Sequence, residues 1–120
     1  MRNYEEYTLD DGSSITEQEQ WVLEQVVNGR VANLEEKYDG SQEKRILRGG
    51  FLKKLILNEF KEKMLIFGVR IAFGIIKDDL VLEFAEVNNI LALENCDFFS
   101  VVNLTDSHFK TNLIMKSSHF

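Results

Sequence analysis

His108, His119 and Cys96 are the side chains of this 120-residue chain best suited to base, ligand or nucleophile chemistry. The two histidines stand eleven residues apart, each directly before a phenylalanine (Phe109 and Phe120), and no second ligand type gathers near them in sequence. Cys96 is the lone cysteine, so no internal disulfide forms, and it reads as a core residue with a raised thiol pKa. Gly68 and Gly74 are isolated, so no phosphate-cradling loop is present. Without a nucleophile, an acid/base pair or a ligand cluster, neither an enzyme nor a metal or cofactor site is expected. The carboxylates carry a sharper possibility. Glu83, Glu86, Glu94, Asp97 and Asp106, with Asp78 and Asp79, recur through one half of the chain. Regularly spaced negative charge can imitate a nucleic-acid backbone.

The elements that would position these groups belong to one small domain. A mass of 13.9 kDa and a 44% hydrophobic composition allow one core. Lys plus Arg number 14 against 20 Asp plus Glu, a formal charge of -6, which argues against direct nucleic-acid binding. The N-terminus has no apolar run of the kind a signal peptide needs. The longest apolar stretch, Met64 to Ile76, is interrupted by Arg70 and is too short to cross a bilayer. Together with the single thiol, these features predict a cytoplasmic protein. In that compartment the Asn103-Leu104-Thr105 glycosylation pattern carries no meaning.

Charge falls in blocks. Residues 1–43 hold eleven acidic and three basic side chains, whereas 44–68 hold seven basic and two acidic ones. Such blocks predict neighbouring elements that attract each other. Residues 1–14 are expected to be a flexible acidic tail, with a helical cap over 15–66. In the first helix Ser14 or Thr16 is the cap, Glu17 or Glu19 its reciprocal partner, and Trp21, Val22, Leu23 and Val26 its apolar side. Asn28-Gly29 stops it. Val31, Ala32 and Leu34 make a short connection, and Tyr38-Asp39-Gly40 a turn. The second helix is expected over Ser41 to Asn58, capped by Ser41, with Leu47, Phe51 and Leu55 at four-residue spacing and Gly49-Gly50 in its interior, where glycines allow another backbone close.

From Val69 the chain repeats itself every eleven residues. The units are Val69, Ile71, Gly74, Ile76; Leu80, Leu82, Ala85, Val87; Leu91, Leu93, Cys96, Phe98; Val102, Leu104, Ser107, Phe109; and Leu113, Met115, Ser118, Phe120. A right-handed helical coiled coil also has an eleven-residue period, but at roughly 98° per residue its four marked positions would point all round the helix. As strands, the apolar pair shares one face and the small/apolar pair shares another, with a corner between. A leucine-rich repeat needs a period of about 20 residues or more and a return segment, for which there is no room. The pattern therefore predicts a β-solenoid over 67–120. Two units form each coil, so residues 22 apart stack: Leu80 with Val102, Phe98 with Phe120, His108 with Glu86, and His119 with Asp97. The two histidines then fall on different sides, which disfavours a shared metal. Leu82, Val87, Leu93, Phe98, Leu104, Phe109, Met115 and Phe120 should fill a common interior, and the second helix should seal the first coil, as solenoids require.

Small-then-apolar pairs such as Ala85-x-Val87, Cys96-x-Phe98 and Ser107-x-Phe109, with Asn103-Leu104 and Asp79-Leu80, resemble the pentapeptide-repeat family of right-handed quadrilateral β-helices. Residues RILRGGFLKKLIL and GVRIAFGIIKDDLVLEFAEV look like the opening region of bacterial proteins of that type, and the resemblance covers roughly Arg45 to Phe120. Spacing that alternates five and six, and a second inward pair that is large/large, depart from the family pattern. The resemblance implies a mainly β fold: a right-handed quadrilateral β-solenoid with an eleven-residue half-coil, preceded by two helices. The motif is a packing rule and says little of activity; the flat strand-lined surface and open end of such a solenoid, with no catalytic constellation, make a non-enzymatic protein-binding or scaffold role the expectation. Because Phe120 is an inward position at an unpaired strand edge, an end-to-end homodimer through the last coil, or a longer solenoid, is expected. Some members of the family inhibit topoisomerases by imitating DNA, and Glu83, Glu86, Glu94, Asp97 and Asp106 are the residues here that would do so. A weaker alternative is attachment to anionic membranes through Lys53, Lys54, Lys61 and Lys63.

Overall fold

The acidic and basic blocks do lie against each other. In a computed structural model of the chain, which describes residues 7–60, 68–83, 85–88, 90–109 and 113–116, four ion pairs join them. Lys44 meets Glu17 at 2.8 Å, Arg48 meets Glu19 at 2.6 Å, Lys54 meets Asp10 at 3.4 Å and Arg45 meets Glu35 at 3.8 Å.

Helix α1 spans Glu17–Val27 and begins with a capping box: Glu19 N–H donates to the Thr16 hydroxyl, and Thr16 N–H donates to the Glu19 carboxylate. Val22, Leu23 and Val26 form its buried stripe, and Asn28-Gly29 ends it with Gly29 at φ 72°. The connection after it contains strand β1 (Ala32–Asn33) and a one-turn helix α2 (Leu34–Lys37), with Asn33 accepting from Glu36 N–H as its cap. Neither element was expected, because both are too short to show a period.

The second helix expected over Ser41 to Asn58 is shorter. Ser41 Oγ accepts from Lys44 N–H at a 3-10 turn over Glu43–Arg45 whose N-cap is Gln42, the chain then extends through Ile46 and Leu47, and helix α3 runs only over Gly49–Ile56. Gly49 and Gly50 open this helix instead of lying in its middle. The expected close approach does occur, at Gly49: its N–H donates to Asp78 Oδ1 at 2.7 Å, and a Cβ there would sit 1.8 Å from the Asp79 carbonyl oxygen. Leu47, Phe51 and Leu55 are fully buried.

The flexible tail expected over 1–14 is packed from Tyr7 onward; residues 1–6 lie outside the described residues. Thr8 and Ser14 form an antiparallel bridge around a turn, Leu9 enters the core, and Tyr7 stacks on Phe60 with ring centroids 5.3 Å apart. Arg48 holds this turn down by donating to the Ser13 hydroxyl and the Ser14 carbonyl.

Among the described residues, nine short strands follow: β2 (Val69–Ala72), β3 (Ile75–Ile76), β4 (Leu80–Val81), β5 (Glu86–Val87), β6 (Leu91–Glu94), β7 (Asp97–Phe98), β8 (Val102–Asn103), β9 (His108–Phe109) and β10 (Leu113–Ile114). They form four parallel sheets: β1-β2-β6-β10, β3-β7, β4-β8 and β5-β9. Every pairing after β1 has the 22-residue offset that the repeat predicts, including Leu80 with Val102 and Glu86 with His108. The stackings of Phe98 with Phe120 and of Asp97 with His119 lie outside the described residues. With three α-helices among the described residues, the chain is mixed α/β with parallel strands, where a mainly β chain was expected.

The first pass of strands is covered by the N-terminal half. Strand β1 pairs with β2, Ile46 bridges to Ile75, Leu47 N–H donates to the Ile75 carbonyl, and α3 packs over β4. Three of the corners between strands turn left-handed, at Phe73 (φ 63°), Asn95 (φ 52°) and Asp106 (φ 54°), each directly before a small position of the repeat. Asn and Asp tolerate that region; phenylalanine does so at a cost.

Candidate functional site

Of the residues expected to fill one interior, Leu82, Val87, Leu93 and Phe98 are buried in a single cluster, and Leu104, Phe109 and Met115 pack against it half-buried. Phe120 lies outside the described residues. The half-buried members mark one end of the stack. At the paired positions Val69, Leu91 and Leu113, exposure runs 1%, 1% and 37%. The same loss of cover takes Leu80 to Val102, Leu82 to Leu104 and Val87 to Phe109. Apolar side chains thus form a layer that is half open to solvent, rimmed by β8, β9 and β10 as the outer strands of their sheets among the described residues.

The five candidate carboxylates do not make one face. Glu94 ends β6, Asp97 begins β7, Glu86 begins β5, and Glu83 and Asp106 occupy the turns between β4 and β5 and between β8 and β9. Glu83, Glu86 and Asp106 fall on one set of neighbouring stretches and Glu94 and Asp97 on another, and Glu83 accepts from Asn103 Nδ2 at 3.3 Å. Asp79, by contrast, is a corner brace: its carboxylate accepts from the Ser100 hydroxyl and from Val101 N–H, which hold its pKa below the usual value.

Cys96 is buried as expected, and burial pushes its thiol up to about 11. His108 is exposed on its strand opposite Glu86. Lys53 and Lys54 are only partly exposed, Lys54 Nζ donating to the Thr8 carbonyl, while Lys61 and Lys63 lie outside the described residues. Among the described residues, no helix is long and apolar enough to cross a membrane, and no three His, Cys, Asp or Glu groups converge as metal ligands would.

A groove of about 770 Å³ runs along the outer side of the β3-β7 sheet. Ile46, Ile75 and Phe99 supply its apolar surface, and Glu43, Lys77 and Asp97 its charges. The repeat could have signalled it. Residues eleven apart from Ile75 are Glu86, Asp97 and His108, and those eleven apart from Phe99 are Asn88 and Lys110, so both residues are apolar where the other units place polar side chains.

No family model, curated protein or solved structure matches the chain.

Proposed function

We propose that this chain is a non-enzymatic, cytoplasmic protein-binding scaffold: a short right-handed quadrilateral β-solenoid of the pentapeptide-repeat type, capped by helices at one end and accepting a partner at the other. The common 22-residue offset in four separate sheets supports the solenoid reading, and right-handed crossovers are the rule between parallel strands. The observation that carries the binding role is the half-exposed layer of Val102, Leu104, Phe109, Leu113 and Met115. Apolar surface beside outer strands favours association, because pairing satisfies backbone groups while burial removes apolar area from water.

The partner at this layer is a second copy of the chain, joined end to end. Sedimentation velocity over a wide concentration range should give a dimer that Met115→Asp converts to monomer. A wild-type chain that stays monomeric at high concentration overturns the self-association. The DNA-imitating alternative has weaker support, since its five carboxylates are distributed over several sheets and turns.

A further inference from the structure

We propose that the groove outside the β3-β7 sheet is a docking site for an extended segment of a partner protein, one that carries a bulky apolar side chain between two basic residues. This site is separate from the end layer, since it uses the outer face of a sheet and not the end of the stack.

The floor is strand-like, and the register sets its pattern. Ile75 is paired with Asp97, Phe99 N–H donates to the Ile76 carbonyl, and continuing that ladder places Lys77 opposite Phe99. The outer face therefore presents a grid in which Ile75 and Phe99 occupy one diagonal and Lys77 and Asp97 the other. Ile46, bridged to Ile75 on the edge away from β7, lies in the same row and widens the apolar surface there, and Glu43 adds a second carboxylate to the groove lining.

Two features of this grid point to a ligand. Ile75 is an outward-facing residue of its strand yet is only 8% exposed, so the groove begins with a preformed apolar floor. Phe99 is 69% exposed, the most exposed large apolar side chain among the described residues. Aromatic side chains at the edge of a concave apolar surface are the usual anchors of protein interfaces. Covering Phe99 would gain what an exposed aromatic forgoes in water.

Charge selects the occupant. Among the described residues, the groove is lined by two carboxylates, Glu43 and Asp97, and one ammonium, Lys77, in a chain of net charge -6. An anionic ligand would meet this excess unfavourably, whereas a segment with Lys or Arg on either side of an apolar anchor complements it. Alternate residues of an extended segment lie about 6.6–6.8 Å apart on one face, the spacing that the strand floor itself repeats. The groove volume lies within the range of sites that enclose small ligands, which suits a few residues and not a folded domain.

The test uses the full chain labelled with ¹⁵N and eight acetylated, amidated pentapeptides. Four have the pattern Lys-Thr-X-Thr-Lys with X as Phe, Trp, Leu or Ile, and four carry Glu in place of Lys. At least one lysine peptide should shift the amide signals of Ile46, Ile75, Lys77, Asp97 and Phe99 saturably. Its Glu counterpart should bind at least about tenfold more weakly. Phe99→Ala, at an exposed position that leaves folding intact by circular dichroism, should weaken binding about tenfold. Three results overturn the proposal: no saturable shift at millimolar peptide, shifts centred elsewhere, or equal binding by the glutamate peptides or by the Phe99→Ala chain. None of these outcomes depends on whether the chain dimerises.

Discussion

Glu19 is the one charged side chain fully buried among the described residues, and its carboxylate accepts four hydrogen bonds. The donors are Thr16 N–H at 2.8 Å, Arg48 N–H at 3.0 Å, and the Arg48 guanidinium through Nε at 3.1 Å and a terminal nitrogen at 2.6 Å. The Glu19 carboxylate holds the Arg48 pKa above its ordinary value, although partial burial opposes the charge. One residue thus caps α1 and ties it to the start of α3 and to the Ser13-Ser14 turn. Glu19→Gln keeps the size but turns an amide donor toward a guanidinium that needs acceptors. It should lower the unfolding free energy by roughly 2–4 kcal/mol, read from urea denaturation. A loss below about 0.5 kcal/mol would mean the clamp contributes no more than an exposed ion pair. The capping half of this arrangement was legible in Thr16-x-x-Glu19, because caps are local. Arg48 was not, since nothing in the spacing of residues 29 apart announces a contact.

At the scale of elements, the helical half is fitted to the strands at Gly49. Backbone carbonyl and helix start meet there with no room for a side chain. Gly49→Ala should cost about 3 kcal/mol, the upper part of the usual overpacking range, because a backbone oxygen cannot swing aside. Gly50 makes the control. A Cβ there meets only Leu9 at 3.7 Å, an ordinary contact. Gly50→Ala should therefore be neutral or stabilising by up to about 1 kcal/mol through helix propensity. Thermal melts of both variants check the pair, and equal effects would show that the approach at Gly49 is not tight. The expected Ser41–Asn58 helix erred because its four-residue apolar spacing ran through Leu47, which the fold uses in an extended segment lying on Ile75. Burial there came from pairing with a strand edge, and tertiary contact overrode the helical period.

For the whole molecule, cover decreases along the stack. The first pass lies under β1, Ile46-Leu47 and α3, whereas the last described pass is half open. Local opening requires less free energy where fewer apolar contacts must be broken. Amide hydrogen exchange at low protein concentration should therefore grade from slow at Ile71 and Ile76 through intermediate at Leu93 to fast at Asn103, Phe109 and Ile114. Uniform protection along the stack would contradict it. The gradient also bears on dimerisation, because end-to-end association should slow exchange at β8, β9 and β10 selectively as concentration rises.

The amino-acid sequence alone determined the eleven-residue period, the 22-residue strand register, the buried positions Leu82, Leu93 and Cys96, and the attraction between the acidic and basic blocks. Each of these follows from alternation, side-chain volume or charge, which are properties of residues near one another along the chain. Only the tertiary structure decided that residues 7–14 fold back under Arg48, that α3 begins at Gly49, that β1 pairs with β2, and that Ile46, Ile75 and Phe99 line one groove. Those facts depend on which distant segments touch, and contact between distant segments is set by the shape and hydrogen-bonding demand of the whole surface, which no local pattern carries.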